Sequence, residues 1–266
     1  MIQPVKEQYA SSKNLEARMS IYRYSVDPKP FSKRLTGQIT PANHVRILEL
    51  GCGTGNLWLD LKDSFHDSEI ILSDLSEGML QKAKETLGED GFTYEIIDFH
   101  HIPYPDKTFD IVISNHNLYH AQDLKKVLSE IGRVMKEDGV FYSTTNSVEH
   151  LASLRELINV PETLWPINVL ASAFGAETGL EKLSEYFQYV ERRFSENELR
   201  ITDLDPIIHY FMSVRDERVY QIVEQSTRDI QARFEAAIRR YGYYKVKTKG
   251  CLFICRQPVK IAGRAE

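Results

Sequence analysis

The sequence predicts an α/β fold built on a doubly wound, mostly parallel sheet. Three observations carry that expectation. Between Val45 and Asn146, short apolar runs alternate with segments of helical periodicity, the pattern of successive βαβ units. The first run, Arg46–Leu50, ends directly in Gly51-Cys52-Gly53-Thr54-Gly55. Polar and charged residues fall just after the runs, at the carboxyl ends of strands, where ligands of such sheets bind.

Each element has its own warrant. Residues 46–50 are almost continuously apolar, as a parallel strand covered on both faces must be. Residues 56–64 follow as a helix, and 69–74 as a second strand of the same style. The helix predicted at 76–87 has Ser76 as N-cap and Gly88 as its stop. Strands at 92–97 and 109–114, a helix at 124–135 and a strand at 139–145 complete the alternation.

Beyond Asn146 the regularity ends. Residues 150–160 read as a helix, 161–175 as irregular chain around Pro161, Trp165 and Pro166, and 178–187 as a helix. A strand at 189–194, amphipathic helices at 203–214 and 217–241, and a strand at 243–256 follow. The two late strands are expected in the same sheet, which makes seven. At the other end, helical spacing runs through residues 14–24 until Asp27-Pro28-Lys29-Pro30 breaks it.

The 266 residues include 42% hydrophobic and 27% charged side chains, enough for a substantial core. A net charge of −5 argues against a nucleic-acid partner, whose phosphates favour a basic face. Cys52, Cys251 and Cys255 make no disulfide framework. The first ten residues are polar, and no apolar run approaches the roughly 20 residues of a membrane span. A cytoplasmic location and no membrane association are therefore expected.

The glycine loop is the first feature with chemistry. Glycines at alternate positions let the backbone turn tightly and approach a ligand with no Cβ in the way. A dinucleotide loop, G-x-G-x-x-G, would need glycine where Asn56 stands. A phosphate loop would need a Gly-Lys-Ser/Thr that is missing. Asp74 ends the second strand about 20 residues further on, where an acid can accept hydrogen bonds from both hydroxyls of a ribose. A helix-cap or turn role is the other reading of a strand-end aspartate.

Glu49-Leu50-Gly51-Cys52-Gly53-Thr54-Gly55 resembles motif I of class I S-adenosylmethionine-dependent methyltransferases. Pro103-Tyr104-Pro105-Asp106-Lys107-Thr108-Phe109-Asp110 resembles the P-[FY]-x-D-x-[ST]-F-D stretch of the same enzymes. The likeness is greatest to the menaquinone-biosynthesis-like group and runs from Val45 to about Ser147. It implies a Rossmann-like sheet with an antiparallel last strand and S-adenosylmethionine as cofactor. It further implies that Gly51, Gly53 and Gly55 wrap the amino-acid part of the cofactor, and that Glu49 holds the ammonium region. Asp74 would take the ribose, and Leu75 and Met79 would line the adenine. Asp98 would accept from the adenine amine, with the Phe99 backbone N–H facing a ring nitrogen. Asn115, at the end of the fourth strand, would be a further cofactor contact, and Asp110 a structural residue.

The acceptor side is argued from residue types. Methyl transfer from a sulfonium is an in-line displacement, so the protein mainly positions the partners and excludes water. His116 and His120 stand where the fourth strand faces the sulfonium, four residues apart. They are candidate general bases or acceptor contacts, with structural hydrogen bonding as the alternative; no metal is expected. Tyr22, Tyr119, His150, Trp165, His209 and Tyr210 are further candidates for the acceptor site. Tyr9 and Arg18 are candidate cofactor contacts on an N-terminal closing helix, Arg18 through the cofactor carboxylate. No Asp/Asn-Pro-Pro-Tyr loop, Pro-Cys loop or paired-glutamate loop is present, so nucleic-acid and arginine acceptors are set aside and a small molecule remains.

The chain thus divides into an N-terminal helical lid at 1–40, a cofactor-binding core at 41–147, a helical substrate-covering insertion with one strand at 148–242, and a closing strand and tail at 243–266. A monomer or homodimer is expected. Two other functions stay open: a cofactor-binding protein without turnover, and a nicotinamide-dependent oxidoreductase, which the one-residue glycine offset disfavours.

Overall fold

The computed structural model describes residues 17–27, 37–213 and 216–259; Tyr9 lies outside them. The strands are β1 (Arg46–Leu50), β2 (Glu69–Asp74), β3 (Thr93–Ile96), β4 (Phe109–Asn115), β5 (Met135–Asn146), β6 (Phe187–Ile201) and β7 (Tyr244–Pro258). They form one seven-stranded sheet in the order β3-β2-β1-β4-β5-β7-β6. Strands β1 to β5 pair in parallel, while β7 runs antiparallel to both its neighbours. Strand order reverses between β1 and β4, the place where a crevice opens at the carboxyl ends.

The α-helices among the described residues are α1 (Trp58–Leu61), α2 (Glu77–Leu87), α3 (Leu124–Val134), α4 (Ala152–Ile158), α5 (Pro166–Phe174), α6 (Gly179–Ser184), α7 (Asp205–Met212) and α8 (Glu217–Tyr241). Ser76 caps α2 by accepting from the Met79 N–H. Three expectations change, the first being the strand predicted at 189–194, which lengthens to β6 at Phe187–Ile201. The helix predicted at 56–64 shortens to α1 and a 3-10 turn at Lys62–Ser64, because the chain from Cys52 to Trp58 is spent on tight turns, Gly55 N–H to Cys52 O and Trp58 N–H to Gly55 O. The stretch 161–175, read as irregular, contains α5. Its proline starts the helix rather than breaking it, since the first turn has no carbonyl waiting for that missing N–H.

Side chains leave a strand alternately to either side, and β1 shows the result. Leu48 and Leu50 join the core formed with Val112, Phe141, Phe253 and the inner face of α3. Ile47 joins the opposite core with Trp58, Leu61, Leu72, Leu80 and Ile113. Glu49 therefore emerges on the Trp58 side, a carboxylate inside an apolar layer.

A third core lies off the sheet's centre. β5 meets β7 only where Val140–Asn146 faces Arg256–Gly250. The first part of β7, from Tyr244 to Lys249, pairs with β6 alone. This ribbon projects past the carboxyl end of β5 by roughly 20 Å, at about 3.3 Å per residue. Ile21, Leu154, Trp165, Phe211, Val219, Val223, Ile230 and Phe234 pack with Leu199, Ile201 and Val246 of the ribbon. The N-terminal segment extends the same layer, Val26 N–H bonding Glu198 O at 2.8 Å. The third core thus stands beside the carboxyl ends of the central strands.

Candidate functional site

The strand ends build the first half of the site. Gly51, Gly53 and Gly55 have φ of +70°, +56° and +75°, a region most side chains avoid. A Cβ on Gly51 would run into the Asn117 side chain, whereas the space where one would stand on Gly53 is open. Asn117 donates to the Leu50 carbonyl and accepts from the Ser114 hydroxyl, which ties the end of β1 to the end of β4.

Asp74, the last residue of β2, clamps the loop. Its Oδ2 accepts from the Gly53 N–H at 3.0 Å and its Oδ1 from the Ser76 N–H at 2.8 Å. Glu49, only 2% exposed, accepts from Trp58 Nε1 at 2.7 Å and Asn115 Nδ2 at 3.1 Å. Asn115 in turn accepts from the Thr144 hydroxyl at 3.0 Å. Burial pushes the Glu49 carboxyl up to about 7, the Trp58 and Asn115 hydrogen bonds opposing it and the Asp74 charge adding to it. Burial likewise raises Asp74 above the usual carboxylate range against its backbone hydrogen bonds.

The other strand-end residues are less enclosed. Leu75 is 43% exposed, an unusual position for a leucine, while Met79 is packed at 2%. Asp98 is about half-exposed and accepts from the His100 N–H at 2.9 Å and the His100 Nδ1 at 2.6 Å. Burial acts to raise its pKa, but the hydrogen bonds and charge of His100 leave it lowered. The Phe99 and His100 rings meet edge to face at 4.9 Å.

The second half gathers at the third core. His116 follows Asn115 with φ of +51° and bonds Thr144 O through its N–H at 3.1 Å. Burial pushes His116 down to about 4, and burial with the Arg18 charge does the same to His120. Tyr119 packs edge to face on the His120 ring. The Tyr22 hydroxyl lies 2.8 Å from His150 Nε2. His150 Nδ1 accepts from the Lys249 N–H at 3.1 Å, and burial, helped by His116, pushes His150 down to about 3. Trp165 meets Phe211 edge on, and Phe211 meets Tyr210. Arg18 donates from Nε to the Ser213 hydroxyl at 3.3 Å and from Nη2 to the Ser213 carbonyl at 3.1 Å.

The structure therefore brings Tyr22, His116, His120, His150, Tyr210 and Arg18 into one interacting set. His209 is not part of it: it is exposed, while its neighbour Tyr210 turns inward.

Residues 48–143 match the family model for a methyltransferase domain. The match spans little more than a third of the chain, and those residues carry a methyltransferase domain. A malonyl-[acyl-carrier protein] O-methyltransferase of Geobacter sulfurreducens is 36% identical over 100 residues, 36% of this chain and 36% of the relative. A demethylmenaquinone methyltransferase of Symbiobacterium thermophilum is 35% identical over 106 residues, 38% of this chain and 41% of the relative. The matched part is only about two-fifths of the length of such relatives. The [4+2]-cyclase SpnF superposes with a TM-score of 0.57 at 16% identity, covering 98% of this chain and 97% of that one. That likeness extends the shared fold across the whole chain and says nothing of the reaction.

The methyltransferase domain has room and charge for its cofactor. The open space at Gly53 admits a ligand against the loop backbone. Burial holds Glu49 and Asp74 above their ordinary pKa, a cation beside them would favour their charged forms, and the cofactor is a cation at its ammonium and its sulfonium. Several of the domain's supports were not foreseen. Trp58, Thr144 and Asn117 hold Glu49, Asn115 and Leu50 in place, and no motif announces them. Lys249 acts through its backbone N–H, which no side-chain pattern can reveal. No helix among the described residues is long and apolar enough to cross a membrane.

Proposed function

We propose that this chain is a methyltransferase that moves the methyl group of S-adenosylmethionine to a small-molecule acceptor. The observation that carries the reading is the Gly51–Gly55 loop clamped by Asp74 across the ends of β1 and β2, with open space at Gly53. Each Asp74 oxygen already accepts one backbone hydrogen bond and keeps a lone pair for a ribose hydroxyl. Glu49 and Asn115 would hold the ammonium end, Leu75 would cover the adenine, and Asp98 and the Phe99 backbone would meet its edge.

When bound, the cofactor supplies an electrophilic methyl on sulfur. The chain's own part is to position the acceptor in line and to keep water out. His116 and His120 are neutral at pH 7, the form that accepts a proton. At a pKa near 4 they are weak bases, suited to taking a proton from an acceptor made acidic by methylation. The N-terminal segment and residues 148–242 would cover the acceptor.

The test is calorimetry with S-adenosylmethionine and S-adenosylhomocysteine. Micromolar binding is expected, and Asp74→Ala should weaken it at least about tenfold, the worth of one hydrogen bond to a charged group. Heat of binding that is absent, or untouched by Asp74→Ala, would reject the reading. A screen of metabolites with labelled methyl donor then separates turnover from binding alone.

A further inference from the structure

The hydrogen bonds around His150 have a direction. A backbone N–H can only donate, so His150 Nδ1, which faces the Lys249 N–H at 3.1 Å, is the unprotonated nitrogen. In a neutral imidazole the hydrogen then sits on Nε2. Nε2 lies 2.8 Å from the Tyr22 hydroxyl, and that bond runs from imidazole to phenol. The Tyr22 oxygen is an acceptor on this side, so its own hydrogen is aimed elsewhere. The two rings are stacked, centroids 6.3 Å apart and 23° from parallel, which fixes the hydroxyl in place.

The charges nearby favour a particular ligand. Burial holds His116, His120 and His150 neutral and keeps the hydroxyls of Tyr22 and Tyr210 protonated. The Arg18 charge acts on His120 and Tyr210. Arg18 is itself anchored through Ser213. In the same core the buried Trp165 carries an indole N–H with no partner among the described residues. The set is rich in donors, carries one positive charge, and is walled by aromatic rings.

The geometry points to Tyr22 as the residue that orients the methyl acceptor, donating its hydroxyl hydrogen to an oxygen of a carboxylate-bearing small molecule. Arg18 supplies the counter-charge, and His150 is a positioning residue behind Tyr22. This rests on the methyltransferase reading and names the chemical class of its acceptor.

Three probes of similar size and different charge test it: benzoate, benzamide and benzylamine. Each is titrated by calorimetry into the full chain, with and without S-adenosylhomocysteine. Benzoate should bind more than about tenfold tighter than benzylamine. Tyr22→Phe should weaken benzoate roughly fivefold or more, as loss of a charge-assisted hydrogen bond does, and leave S-adenosylhomocysteine affinity unchanged, while the melting temperature falls modestly because the buried His150 Nε2–H loses its acceptor. His150→Gln, which keeps an N–H near the Nε2 position, should retain most of the benzoate affinity, whereas His150→Leu should match Tyr22→Phe. Benzylamine binding as tightly as benzoate, or benzoate indifferent to Tyr22→Phe, overturns the proposal. Failure of S-adenosylhomocysteine to bind at all rejects the methyltransferase reading separately, since the benzoate preference is also read without it.

Discussion

The two halves of the site are assembled over different distances along the chain. On the cofactor side, Trp58 reaches Glu49 across 9 residues and Gly53 reaches Asp74 across 21. On the acceptor side, Tyr22 and His150 are 128 residues apart, Lys249 and His150 are 99, and Arg18 and Ser213 are 195. The halves also differ in electrostatics. The first holds carboxyl groups whose pKa is raised, the second holds histidines whose pKa is lowered. Burial drives both, because it penalises whichever form is charged. One half therefore waits for positive charge and the other does not, and the two can be perturbed apart.

The largest effect is expected from Trp165→Ala. It removes a side chain only 1% exposed from the third core and should cost about 3–5 kcal/mol, read as a drop in the urea midpoint. Hydrogen exchange should rise first in α4, α7 and α8, with β1, β2 and β4 still protected. Equal loss of protection everywhere would mean that the halves unfold as one.

Two glycine substitutions sharpen the cofactor side. Gly51→Ala places a methyl against Asn117 in a positive-φ position and should destabilise by about 1–3 kcal/mol. Gly53→Ala meets open space, so only backbone strain remains, about 1 kcal/mol. Yet it puts a methyl where the ligand would lie, and S-adenosylhomocysteine affinity should fall more than stability does. Unchanged affinity in a folded Gly53→Ala chain would place the cofactor elsewhere.

The effect of pH differs in sign between the halves. Unfolded, the histidines take up protons near pH 6.5, but folded they stay neutral to about pH 4 for His116 and His120 and about 3 for His150. Their stabilising effect is whole above pH 6.5 and is lost on acidification, by up to about 1.4 kcal/mol per pH unit for each. Glu49 ionises near 4.5 when unfolded and near 7 when folded, so it weakens the fold as pH rises between those values. Urea midpoints from about pH 4.5 to 7.5 should therefore climb less steeply with pH in His150→Gln and more steeply in Glu49→Gln. A variant that moves the slope the other way would misplace the burial.

The same difference in reach explains what could be read in the sequence. The glycine loop and Asp74 are local signals, each written where one strand ends, and the parallel βαβ alternation followed from the succession of apolar runs. Tyr22 and His150 could be singled out as residue types, but no spacing joins two side chains 128 residues apart. Helical periodicity could not choose between His209 and Tyr210, because which neighbour turns inward depends on the partner helix. Pro166 and Trp165 read as breakers because the favourable place for proline at a helix start is known only once the helix is seen.

The position of β7 has one more consequence, for how the molecule is made. This fifteen-residue strand leaves a ribosome after β1 to β6, yet it lies between β5 and β6. Until it arrives, β5 offers an open row of N–H and C=O groups, and β6 has no neighbour in the sheet. Such edges invite pairing with other chains. Strands β1 to β5, with the cofactor loop, can assemble during synthesis. The Lys249–His150 contact cannot form until β7 has been made, so a nascent chain acquires its cofactor site before its acceptor site. A chaperone that shields the outer edge of β5 would act in the interval between the two.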